Sequence, residues 1–137
     1  MPHALRPYDH TQARSVNPLE LRARREALGL GQGLLASLFG VAQATVSNWE
    51  AGKRAIPAGL SKDIAVQEEI VEDLVDLATG LLDAAEGDPV SLAVYATDAE
   101  LWAAHPEMAG IPAVLHRVAM ARARAMADGP CTLGDPA

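Results

Sequence analysis

Residues 32–52 decide the fold, and they read QGLLASLFGVAQATVSNWEAG. This stretch predicts two short helices, Gln32–Phe39 and Gln43–Glu50, each with apolar residues on one face. Gly40 separates the helices, in a turn where the chain can take a positive φ at little cost. The sequence therefore predicts a pair of short helices joined by a tight turn.

The residues expected at the contact between the two helices have the sizes that a close crossing requires. Ala36 is small where the helices would approach each other, and Val41, Val46 and Trp49 fill the space between them. This is the stereochemistry of a helix-turn-helix, whose second helix stands out from the surface and can enter the major groove of DNA.

A capped helix precedes this pair. Asn17 is a good N-cap, Pro18 suits the first helical position, and Glu20 stands at capping-box spacing from Asn17. The helix is expected to run to about Leu28 and to end at Gly29.

The stretch Leu21–Leu60 resembles the Cro/C1 (Xre-type) helix-turn-helix family. The resemblance lies in three motifs: RxxxGLxQ (Arg25, Gly29, Leu30, Gln32), TVSxWExG (Thr45–Gly52) and the trailing Ile56-Pro57. It implies an N-terminal lambda-repressor-like helical bundle that binds double-stranded DNA.

The resemblance implies that Gln43, Ala44 and Asn48 touch base edges. Gln and Asn side chains can pair bidentately with adenine, and the Ala44 methyl group suits the methyl group of thymine. The alternative is that these residues form an ordinary solvated face.

A second set of residues is expected at the sugar–phosphate backbone: Gln32, Thr45, Ser47, Lys53 and Arg54. Other roles stay open for several of them: helix capping for Gln32, local bonding to the backbone for Thr45 and Ser47, and solubility for the two cations.

The same resemblance implies a buried structural ion pair between Arg25 and Glu50. Such a pair would link the first and third helices and orient the recognition helix.

Charge is distributed unevenly along the chain of 137 residues, which has a net charge of −7. Residues 1–60 sum to +3, whereas residues 61–137 sum to −10. Because phosphate responds to local potential, the overall acidity does not exclude a nucleic-acid partner for the first part.

The sequence predicts four segments: a flexible arm (1–16), the DNA-binding domain (17–60), a dimerisation domain (61–128) and a flexible tail (129–137). The dimerisation domain would contain a long acidic helix over 61–86, one strand over 90–95, a short helix from Asp98 and a last helix over 111–127. The fold class is mainly α, with one short β-strand.

An apolar stripe on the long helix, together with the strand, is the expected homodimer interface. Its residues are Val71, Leu74, Val75, Ala78, Leu81, Leu82, Leu92 and Val94. Because no second strand is evident, the strand is expected to pair with its two-fold mate. The alternative is that the stripe belongs to the core of a single chain. In its order of elements, the whole chain is similar to anti-CRISPR-associated and YdiL-like two-part dimeric regulators.

Other classes of function find little support. The four histidines lack ligand spacing, Cys131 is the only cysteine, and no nucleophile–base pair or phosphate-binding glycine loop is evident. We therefore expect no catalytic or metal site, no cofactor, no small-molecule ligand and no membrane association, in a cytoplasmic protein.

The sequence thus predicts a homodimeric repressor that binds a palindromic operator, regulating its own gene or an anti-CRISPR operon. The alternative is an antitoxin or adaptor whose C-terminal half binds a partner protein, with DNA binding secondary.

Overall fold

The structure, a computed structural model, describes residues 16–135. The chain forms two compact units, which meet in sequence between Val66 and Gln67. The sequence predicts this boundary six residues earlier. Most of the expected arm, residues 1–15, lies outside the described residues, whereas Val16 is buried.

The first unit contains three short helices: α1 (Pro18–Ala27), α2 (Gln32–Phe39) and α3 (Gln43–Glu50). The long helix α4 (Leu60–Ala84) begins in this unit and continues into the second. Asn17 caps α1, because its Oδ1 accepts a hydrogen bond from the Glu20 N–H at 2.8 Å. The bounds of α2 and α3 are those that the sequence predicts.

Leucines dominate the core of the first unit. The side chains that are almost completely buried are Leu21, Leu28, Leu30, Leu35, Val46 and Ile64. They come from all four helices and the α1–α2 connection, so α3 is supported by the whole unit. Burial of each such side chain stabilises the fold by about 1.5–3 kcal/mol.

The second unit contains the remainder of α4 and five further elements. They are β1 (Val90–Ala93), α5 (Asp98–Ala104), a 3₁₀ helix (Pro106–Met108), α6 (Ala113–Met126) and β2 (Cys131–Gly134). The core includes Val71, Leu101, Leu115, Ala119 and Ala123, all with essentially no exposed surface. Small residues on α6 allow close packing.

Side-chain hydrogen bonds fix the connection from α5 to α6. Thr97 Oγ1 accepts from the Glu100 N–H at 3.1 Å and so caps α5. Asp98 Oδ1 accepts from the Ala113 N–H at 2.7 Å, at the start of α6. Trp102 Nε1 donates to the Ile111 carbonyl at 2.8 Å.

The strand pairing differs from the one that the sequence indicates. The sequence indicates a single strand over 90–95, paired across a two-fold axis, and a flexible tail. In the structure β1 is shorter and pairs in parallel with β2, from Val90 opposite Cys131 to Ala93 opposite Gly134. The tail therefore supplies the missing strand, and residues 136–137 lie outside the description.

The fold is mainly helical, as the sequence predicts, and it contains one two-stranded β element in place of the single strand expected. Among residues 16–135, no helix is both long enough and apolar enough to cross a membrane.

Candidate nucleic-acid interface

The turn between α2 and α3 fixes the orientation of α3. Gly40 ends α2 in the left-handed region, with φ 68° and ψ 31°. The next residue, Val41, donates its N–H to the Ala36 carbonyl at 2.9 Å. The buried side chains of Val46 and Trp49 hold one face of α3 against the unit, so the opposite face is presented outward.

The outward face of α3 carries the expected base-contacting residues. Gln43, Ala44 and Ser47 are exposed, whereas Thr45 and Asn48 are half-buried. Because 43, 44, 47 and 48 recur at helical spacing, their side chains share one surface. These are donors, acceptors and a methyl group, the functional groups that direct readout of a major groove uses.

Two cations follow α3 in a loop that the helix itself holds. Gly52 takes a positive φ of 74°, and the Asn48 carbonyl accepts from the N–H groups of Lys53 at 2.9 Å and Arg54 at 3.3 Å. Arg54 Nη1 also lies 3.4 Å from Thr45 Oγ1. This arrangement places exposed positive charge beside the outward face of α3.

An ion pair connects the C-terminal end of α3 to α1. Arg25 of α1 donates from Nε to Glu50 Oε2 at 2.7 Å and from Nη2 to Glu50 Oε1 at 2.8 Å. Arg25 Nη1 donates to the Leu30 carbonyl at 2.9 Å. Burial alone would raise the pKa of Glu50, but the hydrogen bonds from Arg25 and Gln32 and the Arg25 charge outweigh it and lower the pKa. The pair is therefore ionised at neutral pH.

Comparison with known proteins agrees with this geometry. Residues 21–66 match the helix-turn-helix family. The matched range ends where the first unit ends, and it indicates a DNA-binding transcription regulator. No curated protein matches the chain. The narrower similarity to anti-CRISPR-associated regulators receives no support from the match.

Within the helix-turn-helix domain, the side chain of Gln32 makes a contact that the sequence does not indicate. Its Nε2 donates to Glu50 Oε1 at 3.1 Å, so its side chain joins the Arg25–Glu50 pair, and the expected phosphate contact at the start of α2 stays a prediction. Gln32 thereby connects the start of α2 to the end of α3. Sequence reasoning missed this contact because the two residues are 18 positions apart.

The expected dimer interface needs correction at five of its eight residues. Val71, Leu74, Val75, Ala78 and Leu92 are buried in the single chain, with 6% or less of their surface exposed. These residues form core, the alternative that the sequence left open. Of the remaining three, Leu82 and Val94 are half-buried and Leu81 is 56% exposed.

Outside the helix-turn-helix domain, the second unit brings together two histidines that are distant in sequence. The ring of Tyr95 makes edge contacts with His105 and His116, with ring centroids 5.7 and 5.5 Å apart. Tyr95 Oη lies 3.2 Å from His105 Nε2, and His105 Nδ1 lies 3.1 Å from Glu107 Oε1. Among the described residues no group of three His, Cys, Asp or Glu is placed to hold a metal ion.

Proposed function

We propose that the protein is a sequence-specific transcriptional repressor that binds an inverted repeat as a homodimer. The observation that carries this proposal is the outward face of α3, with Gln43, Ala44 and Ser47 exposed on a helix that the Arg25–Glu50 pair anchors. Insertion into a major groove requires a rigidly held helix with polar side chains on its exposed face.

In this proposal the residues on α3 read bases. Gln43 and Asn48 pair with adenine through their carboxamides, and Ala44 contacts a thymine methyl group. Asn48 is half-buried, and its backbone carbonyl accepts the hydrogen bonds that hold the following loop, so base reading and the phosphate contacts of that loop are adjacent.

The phosphate contacts come from Lys53, Arg54 and the hydroxyls of Thr45 and Ser47. Arg54 and Thr45 already lie side by side, so one phosphate oxygen can accept from both. Such contacts add affinity without sequence information and make binding dependent on salt.

Charge supports DNA binding through the first unit. The two halves of the chain sum to +3 and −10, and Glu69, Glu72, Asp73 and Asp76 are exposed on α4. Phosphates repel these carboxylates, so the first unit is the part of the chain that we assign to DNA binding.

A homodimer follows from the small size of one module. Two modules related by a two-fold axis read half-sites about 34 Å apart, and their binding free energies roughly add. Leu77 and Leu81, 54% and 56% exposed and one helical turn apart on α4, are the apolar residues we assign to the dimer contact. Their exposure supports self-association, because leucines paired on one face gain free energy when covered.

Repression then needs only occupancy, because a bound dimer in a promoter excludes RNA polymerase without a cofactor. The promoter of the protein's own gene is the proposed target, and an anti-CRISPR operon is the further target that the resemblance suggests.

The test is footprinting of DNA upstream of the protein's own gene, together with the mass of the purified chain in solution. A protected inverted repeat and a dimeric mass support the proposal. A monomer that protects no DNA would contradict it, and a chain that becomes stable only with a second protein would favour the antitoxin or adaptor.

A further inference from the structure

Gly33, the second residue of α2, lies directly beneath the side chain of Gln43 on α3. A Cβ atom added at Gly33 would stand 3.2 Å from Gln43 Oε1 and 3.6 Å from Cδ. A Cβ contact near 3.2 Å is tighter than is usual in proteins. The absent side chain of Gly33 therefore leaves the space that the Gln43 carboxamide occupies.

The backbone gives no reason for a glycine at this position. Gly33 is within a helix and is not among the residues with positive φ. Glycine is a poor helix former compared with alanine. By contrast, Gly40 and Gly52 take positive φ, and a Cβ added at either would have nothing within 4 Å. The reason for glycine at those two positions is conformational, whereas at Gly33 it is spatial.

We propose that Gly33 is a positioning residue for base recognition, acting through Gln43. The carboxamide oxygen rests over the first turn of α2, whose N–H groups carry partial positive charge. The contact with Gly33 therefore limits the directions that the Gln43 carboxamide can take. This inference rests on the proposed function, because it concerns the direction of a base-reading side chain.

The direction matters because bidentate pairing with a base depends on both amide atoms. A methyl group at Gly33 forces the Gln43 oxygen to move by a few tenths of an ångström. The displaced atom is at the end of a flexible side chain, so the fold accommodates the change. Base recognition is altered while the fold is retained.

The experiment is to compare wild type, Gly33→Ala, Gln43→Ala and the double variant on the footprinted site and on random duplex. Gly33→Ala should bind the footprinted site about 3- to 10-fold more weakly, a partial loss of one bidentate contact. Binding to random duplex should not change. Base-pair substitutions should show reduced discrimination at the same position for Gly33→Ala and for Gln43→Ala.

Gly59→Ala is the matched control, because Gly59 precedes α4, does not take a positive φ and has nothing within 4 Å of an added Cβ. Both alanine variants should unfold at or above the wild-type temperature, and Gly59→Ala should bind DNA normally.

The double variant decides the mechanism. If Gly33 acts through Gln43, adding Gly33→Ala to Gln43→Ala produces no further loss. An additional loss in that background, or an equal loss on random duplex, would overturn the inference while leaving the proposed function intact. A wild type with no sequence preference would contradict both.

Discussion

Arg25 on α1 and Glu50 on α3 form a bidentate ion pair with N–O distances of 2.7 and 2.8 Å. Only 11% of the Arg25 side chain and 5% of the Glu50 side chain are exposed. The pair is therefore shielded from solvent, and it lies at the opposite end of α3 from Gln43. The pair therefore holds the end of the proposed recognition helix against α1.

Replacing one partner of this pair should destabilise the protein strongly. Arg25→Ala leaves the Glu50 carboxylate buried with only Gln32 to donate to it, at an expected cost of about 3–5 kcal/mol. The free energy of unfolding from a denaturant titration measures this. The control is Arg22→Ala, which removes an exposed pair with Glu26 at 3.5 Å and should cost less than about 1 kcal/mol.

The double variant Arg25→Met/Glu50→Leu should recover much of the lost stability, because it leaves no unpaired buried charge. Acid should lower the free energy of unfolding, as Arg25→Ala does, because it protonates Glu50. The lowered pKa of Glu50 means that the stabilisation is present above pH 4.5 and is lost as the pH falls further. Equal losses for Arg25→Ala and Arg22→Ala would show that the pair does not fasten α3.

Arg54 and Asn48 should respond differently when replaced by alanine. Arg54→Ala should weaken binding to all duplexes and reduce the slope of log affinity against log salt by about one. Asn48→Ala should cost about 1–3 kcal/mol on the footprinted site alone. Titrations on that site and on random duplex at several salt concentrations measure both. An equal loss for Asn48→Ala on both duplexes would exclude a role in base reading.

The helices could be predicted because their ends are marked locally. Asn17 caps α1 through its own side chain, and Gly40 ends α2 with the positive φ that its lack of a side chain permits. Thr97 likewise caps α5 through its own side chain. Such signals lie within four residues of the helix end, so a sequence displays them directly.

Contacts between distant residues could not be predicted in this way. β2 is four residues long, lies among glycine and proline, and is a strand only because it pairs with β1. A parallel pair needs a long crossover, which α5 and α6 supply. The contact between Gln32 and Glu50 and that between Tyr95 and His116 likewise depend on the assembled units.

Leu77 and Leu81 provide a test of the dimer surface. Leu77→Asp and Leu81→Asp should each convert the dimer to a monomer and leave the helical content unchanged, since these side chains are more than half exposed. Analytical ultracentrifugation and circular dichroism measure the two properties. Leu19→Asp, at a leucine that is 74% exposed on α1, is the matched control and should remain dimeric.

A dimer that tolerates both aspartates would place the interface elsewhere. Loss of helical content in either variant would mean that these leucines support the core of the chain.

His116 should make the second unit sensitive to acid. It is 5% exposed, and its Nδ1 has no hydrogen-bond partner within residues 16–135. Burial, followed by the charges of His105 and Arg117, lowers the pKa of His116 below 6.5. The unfolded chain therefore takes up a proton first, and the stability present above pH 6.5 declines as the pH falls below it.

The variant His116→Phe keeps a ring against Tyr95 and removes the titrating group. Thermal unfolding between pH 7.5 and 5.5 should show a smaller acid-induced decrease for this variant than for the wild type. His105→Gln keeps His116 buried and should retain the part of the decrease that burial causes. Identical pH profiles for wild type and His116→Phe would assign the acid sensitivity to another group.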